Sequence, residues 1–201
     1  MTTPQSTLHY YSNQSNTLLD RYDNADMQTL HQLFLKYIPR NSKVLDIGFG
    51  SGRDLEFLIK QGYEVFGVDP TLEFIDNAKR RFSNIVNNFI LDGLPLTKSS
   101  IEQLKYLDSI ICVAVWMHLD KDQYSLAVKS MVEILNQESR VVISFSTGNR
   151  GVDDGRVFNE VDIELLTTLF NKEGFSLIQR VSNDDSLSRT SLEWITVVYQ
   201  R

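Results

Sequence analysis

From residue 43 onward, short apolar runs rich in Val, Ile, Leu and Phe alternate with longer stretches whose apolar positions recur at helical spacing. That alternation is the sequence form of a parallel sheet covered by helices on both faces. The pattern predicts strands over 43–47, 64–68, 84–91, 108–115, 140–145, 176–182 and 192–199. Between them it predicts a helix over 54–61 that ends at Gly62, and another over 71–82 with Leu72, Ile75 and Phe82 on one face. Further helices are expected near 121–136 and from about 159, the last presenting Leu165, Leu166, Leu169 and Phe170 before Gly174 stops it. Only residues 183–191 separate the last two strands, too few for a crossover helix, so these two run antiparallel or belong to different sheets. Upstream, 12–22 and 26–37 read as helices, the second with Met27, Leu30, Phe34 and Tyr37 at helical spacing.

Composition narrows the picture to one unit. The chain has 201 residues, 42% of them hydrophobic, enough for one well-formed core. A single domain over 1–201 is expected, with 1–39 as an N-terminal helical cap. A formal net charge of −6 and a pI near 5.1 oppose the counterion-displacing contacts on which non-specific nucleic-acid binding depends. Lys79-Arg80-Arg81 is short and fits a solvated helix face. Cys112, the one cysteine, sits inside the apolar run Ile110-Ile111-Cys112-Val113-Ala114 and reads as a small core residue. No run approaches the roughly 18 apolar residues of a membrane span, and the polar start lacks the pattern of a secretion signal. A soluble cytoplasmic protein is the expectation.

The chemistry concentrates where the first strand ends. In Val44-Leu45-Asp46-Ile47-Gly48-Phe49-Gly50-Ser51-Gly52 an apolar run breaks into glycines at every second position just before a helix. Glycines there let backbone approach a ligand closely, and the helix directs its free N–H groups to the same place. A dinucleotide fingerprint needs its third glycine three residues after the second, and that position holds Arg53. The observed G-x-G-x-G, with Asp46 two residues ahead of it, instead resembles the first motif of the class I S-adenosylmethionine-dependent methyltransferases. The resemblance extends over roughly 44–199 and includes the final hairpin. Gly50-Ser51-Gly52-Arg53-Asp54, Val115-Trp116-Met117-His118, and the ending from Asp185-Ser186-Leu187-Ser188-Arg189 to Trp194 look like a group of small bacterial members of unsettled substrate.

The resemblance implies an α/β fold, a Rossmann-like, mostly parallel seven-stranded sheet with helices on both faces and a C-terminal antiparallel hairpin. It implies S-adenosyl-L-methionine as cofactor, wrapped by Gly48, Phe49, Gly50 and Gly52, with Asp46 holding the loop or meeting the ligand's amino group. Asp69, ending Val65-Phe66-Gly67-Val68-Asp69 and followed by Pro70, would accept from both ribose hydroxyls. Asp92-Gly93 matches the position beside the adenine amino group, and Val115 ends the fourth strand where the family faces cofactor and substrate. Each has a plainer reading as well: Asp69-Pro70 starts a helix and Asp92-Gly93 makes a turn. Phe49 replaces a customary small residue, and Asn136-Gln137-Glu138-Ser139 lacks the customary glycines.

Candidate acceptor contacts are Tyr10, Trp116, His118 and Arg156, with Tyr11 closing over the cofactor. His118 has the side-chain chemistry of a base at neutral pH, or else caps the turn after the fourth strand. Trp116 is either an aromatic wall for the sulfonium or core. Tyr22 and Arg21 belong to the pocket or to a helix packed on the domain, and Asp185, Arg189 and Trp194 pin the last hairpin. The 151–156 loop follows the fifth strand, a place where loops carry acceptor contacts. The fourth strand lacks the Asn/Asp-Pro-Pro-Tyr pattern of amino-directed DNA methyltransferases, and no Pro-Cys pair exists, so a small-molecule acceptor is expected and a metalloid oxyanion or a thiol stays open, as the layout shared with tellurite-resistance methyltransferases implies. The competing functions are a non-catalytic S-adenosylmethionine-binding regulatory or interaction protein and, on sheet architecture alone, a nicotinamide oxidoreductase.

Overall fold

The computed structural model describes residues 4–148, 154–184 and 192–201. Three helices come first, α1 (Gln5–Asn13), α2 (Ser15–Asp23) and α3 (Gln28–Tyr37). They are followed by β1 (Lys43–Ile47), α4 (Arg53–Lys60), β2 (Glu64–Asp69), α5 (Leu72–Arg81), β3 (Phe89–Leu91), α6 (Lys98–Gln103) and β4 (Leu107–Val113). The chain closes with α7 (Tyr124–Glu133), β5 (Leu135–Thr147), α8 (Ile163–Lys172), β6 (Ser176–Asp184) and β7 (Glu193–Gln200). Among the described residues the strands form one seven-stranded sheet in the order β3-β2-β1-β4-β5-β7-β6. Pairing is parallel from β3 to β5, and β7 runs antiparallel between β5 and β6. The expected parallel sheet with its antiparallel ending is therefore what forms.

Side-chain alternation along the strands divides the core in two. Val44, Val65, Ile111, Val142 and Val198 face a layer built by Leu18, Phe34, Leu55, Leu58, Phe74 and Ala78 of α2 to α5. Their neighbours Leu45, Val68, Ile110, Cys112, Val141, Ile143 and Val197 face Ile101, Ala127, Val128, Met131, Leu166 and Phe170 of α6 to α8. Both layers are needed, because the central strands β1, β4 and β5 are apolar on both faces. Cys112 is fully buried, as its run requires. No helix among the described residues is long and apolar enough to cross a membrane.

Several expected boundaries shift for local reasons. The run from 84 is not strand until Phe89: residues Ser83–Asn88 form two short 3-10 turns parted by a kink at Ile85, and the Asn88 side-chain amide donates to the Val65 carbonyl at 2.8 Å. The fourth strand stops at Val113 because Ala114 takes φ of +61°, and Trp116–His118 continue as a 3-10 turn. The expected first helix is two, parted at Gln14, and the helix near 121 begins with a 3-10 turn and yields to β5 at Leu135. The helix foreseen from 159 starts at Ile163, where Asp162 Oδ1 caps the Leu165 N–H at 3.0 Å. Leu72 is exposed, the buried face of α5 being Phe74, Ile75 and Ala78.

The short helix α6 has no counterpart in the periodicity, and Asp92 explains how it is held. The Asp92 carboxylate accepts from the N–H of Gly93 and from the N–H and hydroxyl of Thr97, each at 2.8 Å, and from the Ser100 hydroxyl. Burial pushes its acidity the other way, yet these donors hold the Asp92 carboxyl below the usual range. Replacing it with alanine strands several donors in a side chain position only 1% exposed. Asp92→Ala is expected to cost about 3 kcal/mol of unfolding free energy, measured by urea denaturation; a loss below about 1 kcal/mol contradicts this anchoring role.

Candidate functional site

At the carboxyl ends of β1, β2 and β4, where strand order reverses, the structure has a cavity of about 560 Å³. Open α/β sheets place their ligand sites at this switch point because adjacent loops diverge to opposite faces. The floor is the glycine turn. Gly48 has φ of +74° and donates to the Val68 carbonyl at 2.7 Å, and a Cβ there would drive into Cγ2 of Val115. The position is thus closed to any side chain by both backbone conformation and packing.

Two buried carboxylates flank the turn. Asp69 is 3% exposed; its Oδ2 accepts the Gly50 N–H at 3.0 Å and its Oδ1 the Thr71 N–H at 2.8 Å. Burial raises the Asp69 carboxyl to about 6 even though both N–H groups pull it down. Asp46 is 2% exposed, and among the described residues its Oδ2 has no hydrogen-bond partner. Burial, then the charges of Asp54 and Asp69, push its carboxyl well above the ordinary range. Both side chains line the cavity, so each keeps acceptor capacity for a ligand.

A third carboxylate, Asp54, was not singled out by the sequence. Burial works against its charge, but Arg53 and the hydrogen bonds from His31 and Arg53 outweigh it and bring it to about 2. His31 Nε2 donates to Oδ1 at 2.8 Å, while Arg53 grips both oxygens and also donates to the Tyr22 carbonyl at 3.0 Å. This cluster ties α2 and α3 to the start of α4, and Arg53 and Asp54 line the cavity. Only Arg53-Asp54 at a helix start was visible in the sequence; nothing in the spacing links it to His31.

The remaining candidates divide. Phe49, Gly50, Pro70, Gly93, Val115, Tyr11, His118 and Arg156 line the cavity. Phe49 fits because Gly67 on β2 leaves room for its ring, which tilts against Phe89 at 5.8 Å. Gly52 is not among the described lining residues and instead begins α4, with φ of +82°. Asp92 is not among the described lining residues, although Gly93 is; its oxygens accept from Gly93 and Thr97 in the loop before α6. Trp116 is fully buried against Tyr124, ring centres 5.3 Å apart, so the core alternative describes it and the aromatic wall does not. Tyr10 stacks on the Arg156 guanidinium at 4.3 Å rather than lining the cavity itself. Residues 151–153 and the segment Asp185 to Arg189 lie outside the described residues; Trp194 lies in β7 and lines the cavity, as do Ser144 and Thr196, whose hydroxyls are 3.0 Å apart.

His118, 5% exposed, is held from two sides: Nδ1 lies 2.6 Å from the Val157 carbonyl oxygen and Nε2 3.0 Å from the Tyr11 hydroxyl. A carbonyl only accepts, so Nδ1 carries the proton and Nε2 offers its lone pair to Tyr11. The turn-cap and base readings of this residue are therefore compatible.

Comparison with known proteins agrees with this layout. Residues 44–138 match the model of a family described as "Methyltransferase domain". An uncharacterized methyltransferase of Alkaliphilus oremlandii is 32% identical over 100 residues, which is 50% of this chain and 44% of that protein, so the chain spans less than half the length of that relative. The crystal structure of Burkholderia thailandensis 1,6-didemethyltoxoflavin-N1-methyltransferase, with bound 1,6-didemethyltoxoflavin and S-adenosylhomocysteine, superposes with a TM-score of 0.74 at 18% identity, covering 98% of this chain and 87% of that one. A TehB-like SAM-dependent methyltransferase from Corynebacterium glutamicum gives 0.69 at 23% identity, covering 98% and 100%. The fold is thereby that of these proteins.

The raised carboxyl of Asp46 sets a pH dependence. A carboxyl whose pKa is raised in the folded state stabilises the fold below the unfolded value, about 4, and that contribution is lost as pH rises through the folded value. Asp46→Asn lacks this loss, so its unfolding free energy relative to the unsubstituted protein is expected to grow between pH 4 and pH 7 in denaturant titrations. A difference that stays flat or shrinks contradicts the buried, unpartnered carboxylate.

Proposed function

We propose that this chain is a class I methyltransferase that transfers a methyl group from S-adenosyl-L-methionine to a small-molecule acceptor. The observation that carries the proposal is the pair of buried carboxylates, Asp46 and Asp69, on either side of the glycine turn. The residues present fit the donor. Asp46 Oδ2, otherwise unpartnered, suits the amino group; each oxygen of Asp69 keeps a lone pair for a ribose hydroxyl after holding Gly50 and Thr71. Gly93 and Leu94 line the cavity and take the adenine side, while Asp92 beside them accepts from Gly93, Thr97 and Ser100.

When bound, the donor supplies an electrophilic methyl carbon already activated on a sulfonium. The chain's own work is alignment and exclusion of water. Leu8 and Tyr11 of α1, with Leu18 and Tyr22 of α2, line the cavity, which supports 1–39 acting as a cap on a single domain. Trp194, His118, Tyr11 and Arg156 supply the acceptor side, with Met117 between. That one structural neighbour holds 1,6-didemethyltoxoflavin beside S-adenosylhomocysteine supports an acceptor of modest size.

The proposal is tested by calorimetric titration with S-adenosylhomocysteine and by release of labelled methyl onto a metabolite panel. Asp69→Asn is expected to weaken S-adenosylhomocysteine at least tenfold, since charge-assisted hydrogen bonds worth about 1.5–3 kcal/mol are lost. Unchanged affinity contradicts the ribose assignment, and binding without transfer to any acceptor favours a regulatory protein.

A further inference from the structure

One wall of the cavity is assembled from parts far apart in sequence. Residues 154–159 pass between α1 and the turn that follows β4. On one side the Val157 N–H donates to the hydroxyl of Thr7, fully buried on α1, at 2.9 Å, and Arg156 stacks on Tyr10 at 4.3 Å. On the other, the Val157 carbonyl accepts from His118 Nδ1 at 2.6 Å, and the Asn159 N–H donates to Met117 at 2.7 Å. Tyr11 closes the circuit by donating to His118 Nε2 at 3.0 Å.

This circuit fixes what the imidazole can do. With Nδ1 protonated toward a carbonyl, the one basic lone pair is on Nε2, and Tyr11 Oη occupies it. A proton leaving a cavity ligand therefore reaches the imidazole by way of the Tyr11 oxygen. Arg156 lies beside that oxygen and favours negative charge developing on it. Burial opposes the charge of Arg156, but Asp154 and the Tyr11 and Tyr10 hydroxyls outweigh it and keep the guanidinium protonated.

The geometry points to a Tyr11–His118 relay that deprotonates a hydroxyl-bearing acceptor, an inference that rests on the methyl-transfer reading and names the acceptor class for it. In the step, the acceptor oxygen forms its bond to the methyl carbon as that carbon's bond to sulfur breaks, the bonding pair staying on sulfur. The hydroxyl proton passes to Tyr11 Oη while the Tyr11 proton passes to Nε2, leaving His118 as imidazolium. Aromatic side chains around the path, Phe74, Tyr22 and Trp194, suit a planar ring, so the acceptor assigned is a phenol. Tyr11 is the catalytic residue that touches the acceptor, and His118 acts through it.

Two measurements test the relay. The chain has three histidines, so imidazole nitrogen NMR resolves His118 without ambiguity once His118→Gln identifies its signals. At about pH 8 the relay requires a protonated Nδ1 and a bare Nε2, with Tyr11→Phe moving the Nε2 resonance; a proton resident on Nε2 overturns it, whether or not the protein proves to be a methyltransferase. The second measurement compares methyl transfer to phenol, protonated at that pH, with transfer to 4-nitrophenol, which is ionised. Tyr11→Phe and His118→Gln are each expected to lower the phenol to 4-nitrophenol rate ratio by about 10²-fold, and the double variant no further. Equal loss on both acceptors means a structural role and overturns the relay. Binding of S-adenosylhomocysteine with transfer to neither phenol overturns the acceptor class, whereas failure to bind it overturns the methyl-transfer reading itself.

Discussion

A single hydrogen bond from the Gly50 N–H to Asp69 Oδ2, 3.0 Å long, joins the ends of two neighbouring strands and shapes everything above them. It holds the glycine turn of β1 against the tip of β2 and leaves a carboxylate at the mouth of the cavity, 3% exposed. A buried carboxylate is costly unless paired, and here two N–H groups are too few to restore its ordinary acidity. The site therefore stores an electrostatic debt in the unliganded fold that hydroxyl donors on a ligand would relieve. Asp46, next to the turn and with an oxygen unpartnered, repeats the arrangement toward a cationic group.

The rest of the fold exists to put those groups at one edge. Parallel strands bring the ends of β1, β2 and β4 together, and the two helical layers bury the central strands behind that edge. The N-terminal helices pack on the same face as α4 and α5 and extend over the glycine turn. Arg53 and Asp54 fasten them there through Tyr22 and His31. The glycine-turn side of the cavity is consequently made by neighbouring strand ends, whereas the side at His118 depends on α1 and residues 154–159 coming together.

That division explains what could be read from the chain. Apolar runs of strand length and the glycine spacing are local signals, so the parallel sheet, its antiparallel ending, the Gly48 turn and the placement of Asp69 were all legible. The sequence leaves Asp92 open because the same Asp-Gly pair serves a ligand or a loop, and its bonds to Thr97 and Ser100, which build the loop, have no local signal. Trp116 was open because Ala114, at φ of +61°, breaks the alternation that would have given its direction. The Ile and Val of the 84–88 stretch suggest a strand, whereas Asn84, Asn87 and Asn88 favour the turn that forms. The contacts of His31 with Asp54 and of Tyr11 with His118 join residues 23 and 107 positions apart, and no local pattern encodes them.

The central claim is that the glycine turn with its two carboxylates is a site for a sulfonium nucleoside and not for a dinucleotide. Side-by-side calorimetric titration of the unsubstituted protein with S-adenosylhomocysteine and with NAD tests it most directly. One molecule of S-adenosylhomocysteine bound per chain, with no heat from NAD, is the result expected. Binding of NAD in its place, or of neither, would contradict the account.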